Sequence, residues 1–414
     1  MSGQYSYLKK IQVRTHNLRL GMYVSELDKP WSESRFTFQG FPIQTTDDLD
    51  ALQQECDWVY VDFPTDKAYQ TYLETIEASD SSSKQIKHTK SDFELLQEEL
   101  PRANQNFQSS SRLVKDVMQS IIREEEFELE PVQKAVEECV DSILHNPDAL
   151  ILLSNIKNAD EYTAEHCLRV AIMSIAFGKF LGMSKEELQC IGLGAMLHDV
   201  GKMRIPDKIL NKPGKLSPAE YCIMQDHALE GFKILQEKKL LSAGVIDIAH
   251  SHHEKLDGTG YPRKLLSHQI SRYAKIVSVI DTFDAITSER IYSPAQSPSV
   301  AFKVLLDHSG TQFDPTYAKK FVEWMGVYPV GSIVEMQTGE IGIVTKVHRK
   351  QKLKPRVFLV TDEDKEKGFQ KVVDLANMAV HSSGNPYQIK TVHPNGSFDI
   401  NLKEFIDNGL RIYR

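Results

Sequence analysis

Residues 195–210 read AMLHDVGKMRIPDKIL, an apolar segment that ends on two polar residues side by side, His198 and Asp199. Gly201 and Lys202 follow directly. A carboxylate at the end of an apolar helix is costly to bury unless a charge, a hydrogen bond or a metal ion compensates it. The stretch therefore predicts either an incidental polar break at a helix end or a site that uses an imidazole and a carboxylate together.

Polar residues on apolar helical faces recur on both sides of this stretch. His166 is one case, because Val170, Met173 and Phe177 follow it at spacings of four, seven and eleven residues, along one helical face. A single such histidine is more often a core residue than a ligand. A helical bundle whose facing helices each donate an inward residue is, however, a common way to build a metal site. The further residues that share this pattern are His227, His252, His253 and Asp281.

The donor set combines imidazoles and carboxylates without a cysteine, which suits Fe, Mn, Ni, Co or Zn and argues against a thiolate zinc site. There are more candidates than one tetrahedral ion needs. Asp199 can bridge with its two oxygens, so the pattern predicts two divalent ions about 3.5–4 Å apart, the arrangement that serves phosphate-ester hydrolysis. Lys202, one turn further on, is then expected to face the scissile phosphate.

Composition excludes several classes of protein. The 414 residues carry a formal charge of −8, and an acidic chain is a poor partner for long nucleic acid, although a small anionic substrate remains compatible. No apolar run reaches the about 18 residues of a membrane helix, so we expect no membrane insertion. Five cysteines without CxxC spacing fit a reducing cytoplasm.

The periodicity of apolar residues changes three times along the chain. We expect a mainly α protein, in which an all-helical catalytic bundle is flanked by a small α+β N-terminal domain and a small β-rich C-terminal module. A polar linker with some helical content is expected to follow the N-terminal domain. The predicted limits are 1–76 for the N-terminal domain, 77–110 for the linker, 111–327 for the bundle and 328–414 for the C-terminal module.

Four motifs identify a family. HDVGK, IPDKILNKPGKLSPAE, HHEKLDGTGYP and DTFDAITSERIY resemble, in order and spacing, the HD-GYP family, a branch of the HD superfamily of metal-dependent phosphohydrolases. The resemblance covers about Ser111 to Val327, roughly half of the chain. IQVRTHNLRLGMYV, near the N-terminus, is similar to an uncharacterised domain that often precedes HD-GYP modules.

The resemblance implies an all-helical phosphodiesterase that hydrolyses cyclic di-GMP to pGpG, and possibly to GMP, by a metal-activated hydroxide. It implies two divalent transition-metal ions, Fe or Mn before Ni, Co or Zn. One alternative is a phosphodiesterase of the same family that acts on 3′3′-cyclic GMP-AMP. Others are a catalytically inactive cyclic-dinucleotide-binding or scaffold protein, and a general nucleotide phosphohydrolase of the wider superfamily. A homodimer or a signalling-protein partner is compatible with each.

The family's functional residues carry over position by position. Lys202 matches a lysine that contacts phosphate, and Arg290 falls where some members place a substrate-binding arginine. Asp199 and Lys202 are thus the expected catalytic residues. The loop that borders the substrate corresponds to Gly258, Gly260, Tyr261 and Pro262. The metal ligands correspond to His166, His198, Asp199, His227, His252, His253 and Asp281.

Two positions depart from the family pattern. Some members hold a third ion with a glutamate four residues before the first histidine, where this chain has Tyr162. The departure favours a dinuclear site, with Asp284 open as an additional ligand. Lys255-Leu256 stands where the family commonly has Arg-Trp, and this change leaves the base preference and the packing of the loop open.

Overall fold

The computed structural model divides the chain into two compact units, Met1–Thr89 and Lys90–Arg414. It describes residues 9–29, 31, 34, 36, 40–63, 92–155, 162–238, 240–288, 295–348, 350–377, 379, 381, 385–393, 397–400, 402–407 and 410. The division falls inside the segment 77–110 predicted as linker, and we propose that the first domain ends there. Among the described residues, no helix combines the length and the apolar character that crossing a membrane requires.

The first unit is a small α+β fold, as predicted. Its four strands form an antiparallel sheet in the order β1-β4-β2-β3. Helix α1 begins at a capping box, in which the Thr45 side chain accepts from the Asp48 amide and the Asp48 carboxylate accepts from the Thr45 amide. Leu52 of this helix packs with Val24, Val59 and Val61 in the core. The elements are β1 Lys9–Arg14, β2 Tyr23–Leu27, β3 Phe41–Pro42, α1 Thr46–Glu55 and β4 Trp58–Phe63.

The second unit begins with a long helix, α2, which spans Asp92–Ile122. Residues 92–110 lie in the predicted polar linker, for which some helical content is expected. Leu96, Leu100, Ala103 and Phe107 nevertheless form an apolar stripe at helical spacing, and all four are buried in the core of this unit. The stripe was hidden in the sequence by the polar residues around it.

Consecutive helices then form the bundle that carries the predicted site. Two of them begin at capping boxes, formed by Ser184 with Glu187 and by Ser217 with Glu220. The bounds are α3 Glu130–His145, α4 Pro147–Ser154, α5 Tyr162–Phe180, α6 Lys185–Leu197, α7 Asp207–Leu210, α8 Pro218–Gln236, α9 Ala243–Ser251, α10 Arg272–Thr287, α11 Pro298–Asp307 and α12 Pro315–Met325.

One close approach sets the position of the HD motif. A short 3₁₀ turn, Val200–Arg204, follows α6 and lies against α8. A Cβ atom on Gly201 would lie 2.0 Å from the His227 carbonyl oxygen and 2.3 Å from the Gly231 nitrogen, both backbone atoms. Only glycine permits this contact, so the turn and the helix are held at a fixed separation.

The C-terminal part of the second unit is a five-stranded antiparallel sheet in the order β8-β7-β6-β5-β9. One face joins the helical core, where Phe93 of α2 stacks on Phe358 of β7 at 6.1 Å. Residues on the other face, Val334, Val344 and Leu359 among them, form a second core. The mainly α fold with two flanking modules is confirmed. The elements are β5 Ile333–Met336, β6 Ile341–Lys346, β7 Arg356–Thr361, β8 Lys367–Asp374, β9 Ile389–His393 and α13 Leu402–Asp407.

Candidate metal centre

The structure brings the seven predicted ligand residues to one place in the bundle. His166 comes from α5, His227 from α8 and Asp281 from α10. The other four follow the ends of helices, His198 and Asp199 after α6 and the pair His252-His253 after α9. All except the half-buried His253 are buried. The helices that carry or precede these residues pack their apolar faces into the core, which explains why the polar side chains meet in the interior.

Asp199 lies at the centre of the cluster. Its Oδ1 is 3.4 Å from His227 Nε2 and 3.8 Å from His252 Nε2. Its Oδ2 is 3.4 Å from His198 Nε2 and 3.7 Å from His166 Nε2. Each oxygen thus faces a different pair of imidazoles, the arrangement that a bridging carboxylate requires.

The ligand-type atoms form two groups that share Asp199. One group is Asp199 with His227, His252 and His253, and the other is Asp199 with His166 and His198. Within each group the atoms lie within 4.8 Å of one another. Asp281 joins the second group, because its Oδ1 is 3.0 Å from His166 Nε2 and 3.9 Å from His198 Nε2.

Backbone carbonyls orient three of the imidazoles. A proton on Nδ1 is donated to a carbonyl oxygen three residues earlier, which leaves the Nε2 lone pair directed into the cluster. The three contacts are His198 to Ala195 O at 2.6 Å, His227 to Met224 O at 2.7 Å and His252 to Ala249 O at 3.0 Å. The tautomer that metal binding requires is thus imposed by the helices themselves.

Two buried polar atoms of the cluster have no hydrogen-bond partner among the described residues, His198 Nε2 and Asp199 Oδ1. Leaving such an atom unsatisfied costs about 1–3 kcal/mol. His198 Nε2 faces the carboxylates of Asp199 and Asp281, and Asp199 Oδ1 faces the imidazoles of His227 and His252. A donor set of imidazole nitrogen and carboxylate oxygen suits a divalent transition metal. The residues therefore fit a metal, and the cluster can bind one.

Protonation states agree with this interpretation for Asp199 and for three of the histidines. At His198, burial lowers the pKa, but the neighbouring Asp199 carboxylate outweighs it and raises the pKa well above its ordinary value, so this imidazole would release a proton on binding a metal. Burial, followed by the neighbouring imidazole of His198, lowers the pKa of His252 to about 3. Burial also lowers the pKa values of His227 and His253. Burial alone would raise the pKa of Asp199, but the charges of Lys202 and His198 hold it well below its ordinary value. Neutral imidazoles and an ionised carboxylate are the forms that coordinate metals.

A cleft of about 540 Å³ opens next to the cluster. Lys202 lines it and places its Nζ 2.5 Å from Asp199 Oδ2. Several lining residues were not assigned a role from the sequence: Asn211, Tyr221 and Gln312. Of these three, Tyr221 is the clearest candidate for a residue that contacts the substrate, because it is an aromatic residue that is 50% exposed and lies on α8, six residues before His227.

The loop predicted to border the substrate contributes one side chain to the cleft, that of Tyr261. Its ring centroid lies 4.8 Å from that of His253. Gly258, Gly260 and Pro262, all described, are not among the lining residues. The glycine at 260 serves packing, because a Cβ there would lie 2.3 Å from the Lys255 nitrogen.

The same loop is tied to the histidine pair by one carboxylate. Glu254, which follows His253, is buried and accepts hydrogen bonds from the backbone amides of Arg263 at 2.7 Å and Leu265 at 2.9 Å. This contact holds the loop next to the cluster. Arg290, predicted as a substrate-binding residue, lies outside the described residues.

Three family models match the chain. Residues 151–317 match an HD domain, and residues 8–132 match a domain of unknown function. Residues 333–380 match a KOW domain associated with the HD domain. The match to the domain of unknown function continues through α2 into α3.

Three curated relatives are similar to most or to part of the chain. A cyclic di-GMP phosphodiesterase of Pseudomonas aeruginosa is 33% identical over 380 residues, which cover 89% of this chain and 89% of that protein. A cyclic di-GMP phosphodiesterase of Thermotoga maritima is 38% identical over 178 residues, 42% of this chain and 48% of the relative. A 3′3′-cGAMP-specific phosphodiesterase of Vibrio cholerae is 36% identical over 177 residues, 42% of this chain and 34% of the relative.

Proposed function

The chain belongs to the HD-GYP family of cyclic dinucleotide phosphodiesterases, and on this premise we propose that it hydrolyses cyclic di-GMP to pGpG, with further cleavage to GMP left to the product analysis below. The observation that carries the chemistry is Asp199, whose two oxygens face different imidazoles in a buried cluster. The similarity to the Pseudomonas relative extends over all three parts of the chain and supports cyclic di-GMP as the substrate.

We propose that the cluster holds two divalent transition-metal ions, iron or manganese before nickel, cobalt or zinc. His227, His252 and His253 would hold one ion together with Asp199, and His166, His198 and Asp281 would hold the other together with Asp199. When bound, such ions supply Lewis acidity that ionises water near neutral pH and neutralises charge on a phosphate. Asp199 thereby becomes the residue on which both ions depend.

The reaction adds one water across one phosphodiester bond. A water oxygen bonds to phosphorus, the bond from phosphorus to the 3′ oxygen breaks, and that oxygen leaves as a hydroxyl. Lys202 lines the cleft and is the charged donor best placed for a non-bridging phosphate oxygen, once the substrate competes with Asp199 for its ammonium. The product of the first cleavage is linear pGpG.

The walls of the cleft suit a purine. Tyr221 and Tyr261 both line it, with ring centroids 6.5 Å apart and ring planes at 82°. Tyr221 is half-exposed, so one aromatic face is available for stacking with a base. Leu256 stands where the family motif has a tryptophan. We infer that Tyr221 provides a stacking surface in place of that missing aromatic ring.

A second candidate substrate is 3′3′-cyclic GMP-AMP. It is favoured by the Vibrio relative that is specific for this dinucleotide and by Lys255-Leu256, which departs from the usual family motif beside the loop. A metal cluster acts on phosphate and cannot distinguish guanine from adenine. An inactive scaffold is the weaker candidate, because all seven expected ligand residues are present and lie together.

Two statements about the wider context stay predictions. Five cysteines without a disulfide favour a reducing cytoplasm. A homodimer or a signalling partner is compatible with the two flanking modules.

The test uses the full chain, purified without oxygen and loaded with Mn²⁺ or Fe²⁺. Cyclic di-GMP and 3′3′-cyclic GMP-AMP are incubated side by side, and the products are separated by chromatography. We expect faster turnover of cyclic di-GMP, and its loss in Asp199→Asn. Asp141→Asn is the matched control, because this exposed carboxylate forms an ion pair with Lys185, and neither residue is a predicted ligand. Absence of turnover of both dinucleotides at full metal occupancy would contradict the proposal.

A further inference from the structure

A buried ion pair lies directly behind His166. Asp284, one turn after Asp281 on α10, accepts a hydrogen bond from His166 Nδ1 at 2.7 Å. Arg169, on α5, donates from Nε to Asp284 Oδ1 at 2.9 Å and from Nη2 to Asp284 Oδ2 at 3.0 Å. Asp284 and Arg169 are each only 2% exposed. His166 is thus the one imidazole in the second group whose Nδ1 faces a carboxylate.

Both oxygens of Asp284 are occupied by these contacts. The two-point contact with Arg169 uses Oδ1 and Oδ2, and His166 shares Oδ2. A carboxylate in this arrangement has little capacity left for a metal ion. The geometry argues against Asp284 as the additional ligand that the sequence had left open.

The contact also selects the tautomer of His166. When Nδ1 carries the proton and donates to Asp284, Nε2 keeps its lone pair, and Nε2 is the atom 3.0 Å from Asp281 Oδ1 and 3.7 Å from Asp199 Oδ2. A carboxylate behind a ligating histidine orients the ring and increases its basicity. Backbone carbonyls serve His198 and His227 in the same way, but without a charge.

Arg169 in turn is held by two further residues. Its Nη1 lies 3.5 Å from Glu165 Oε2, and its Nη2 donates to Ser288 Oγ at 3.3 Å. Burying a charged pair usually costs more than its attraction returns. A buried pair that is fully hydrogen-bonded and abuts a histidine of the metal cluster is therefore better explained by the site than by stability.

We propose that Asp284 and Arg169 are positioning residues, which hold His166 in its metal-binding orientation and do not themselves ligate a third ion. The inference rests on the proposed role of His166 as a metal ligand. Tyr162 agrees with the inference, because the carboxylate with which some members hold a third ion is missing at that position.

The test is a metal titration of Asp284→Asn in the full chain. At saturation we expect two Mn²⁺ per chain by elemental analysis, as in the wild type, and calorimetry should show one of the two ions bound about 10–100-fold more weakly. The Co²⁺-loaded variant should show shifted visible absorption bands, because a charged carboxylate no longer orients the His166 ring. Glu99→Gln is the matched control, since Glu99 is another buried, hydrogen-bonded carboxylate in this unit, and it should leave both metal readouts unchanged.

Arg169→Lys provides a second measurement if Asp284→Asn does not fold. It keeps the charge but loses the two-point contact, so the same ion should be weakened to a smaller extent. A third ion in the wild type that disappears in Asp284→Asn, or unchanged affinity and spectrum in both variants, would overturn the inference. Failure of the proposed function would differ: the wild type would bind two ions and still cleave no cyclic dinucleotide.

Discussion

Gly201 offers the sharpest test of how the site is built, because a single added methyl group meets only backbone. In Gly201→Ala the new Cβ would lie 2.0 Å from the His227 carbonyl oxygen, and Cβ contacts below 3.0 Å are essentially never seen. The 3₁₀ turn and α8 would have to separate by about 1 Å. Since Asp199 precedes this turn and His227 lies on α8, the separation falls between two members of one ligand group.

The size of the effect follows from that displacement. Metal sites tolerate about 0.2 Å in ligand distance, and a misplacement of about 1 Å costs about 100-fold in rate. We therefore expect kcat for cyclic dinucleotide hydrolysis to fall by at least about 100-fold, equivalent to about 2.7 kcal/mol. Overpacking should also lower the free energy of unfolding by about 1–3 kcal/mol.

The assay combines steady-state kinetics with metal analysis and thermal unfolding. Gly178→Ala is the matched control, because its Cβ would meet only side-chain atoms, those of Leu188 and Met183 at 2.7 and 2.9 Å, which can move. Helix propensity favours that change by about 1 kcal/mol, so activity should stay near wild type. A Gly201→Ala enzyme with full activity and two bound ions would refute the idea that this close approach sets the site.

Three further substitutions test separate parts of the site. Lys202→Ala should reduce kcat by about 100–1,000-fold while elemental analysis finds the metal content unchanged, because the ammonium acts on phosphate charge. Glu254→Gln should lower the melting temperature and raise KM, since an amide has one acceptor oxygen and cannot keep both charge-assisted bonds to the amides of Arg263 and Leu265, each worth about 1.5–3 kcal/mol. Tyr221→Ala should weaken binding of a non-hydrolysable cyclic dinucleotide by about 1–3 kcal/mol in calorimetry, whereas Tyr221→Phe should bind like the wild type.

The convergence of the cluster could be predicted because each predicted ligand lies on, or directly after, a helix with an apolar face. His166 illustrates this: Val170, Met173 and Phe177 point into the core, so the imidazole in line with them does as well. Several inward-facing polar residues in one bundle have few places to go except toward one another. The order of the α+β, helical and β-rich parts could also be predicted, because the spacing of apolar residues differs between helices and strands.

The ion pair of Arg169 and Asp284 behind His166 could not be predicted, because it depends on which helices face each other. Arg169 follows His166 by three residues, and Asp284 follows Asp281 by three, but spacing along each helix does not reveal that α5 and α10 lie side by side. The role of the loop was equally hidden. Gly260 is required by backbone packing against Lys255 and not by contact with the cleft, a distinction that only the fold reveals.

The contiguity of the HDVGK motif also has a geometric reason. Its residues make contacts in different directions: His198 and Asp199 into the cluster, Gly201 against the backbone of α8, and Lys202 back to the Asp199 carboxylate. The predicted ligand His227, by contrast, is brought inward by its place on α8, and its Nδ1 donates to the Met224 carbonyl oxygen. Gly201 is the most tightly constrained of the motif's residues, because its close approach to α8 positions the carboxylate that both groups share, whereas Lys202 lies on the side of the cleft.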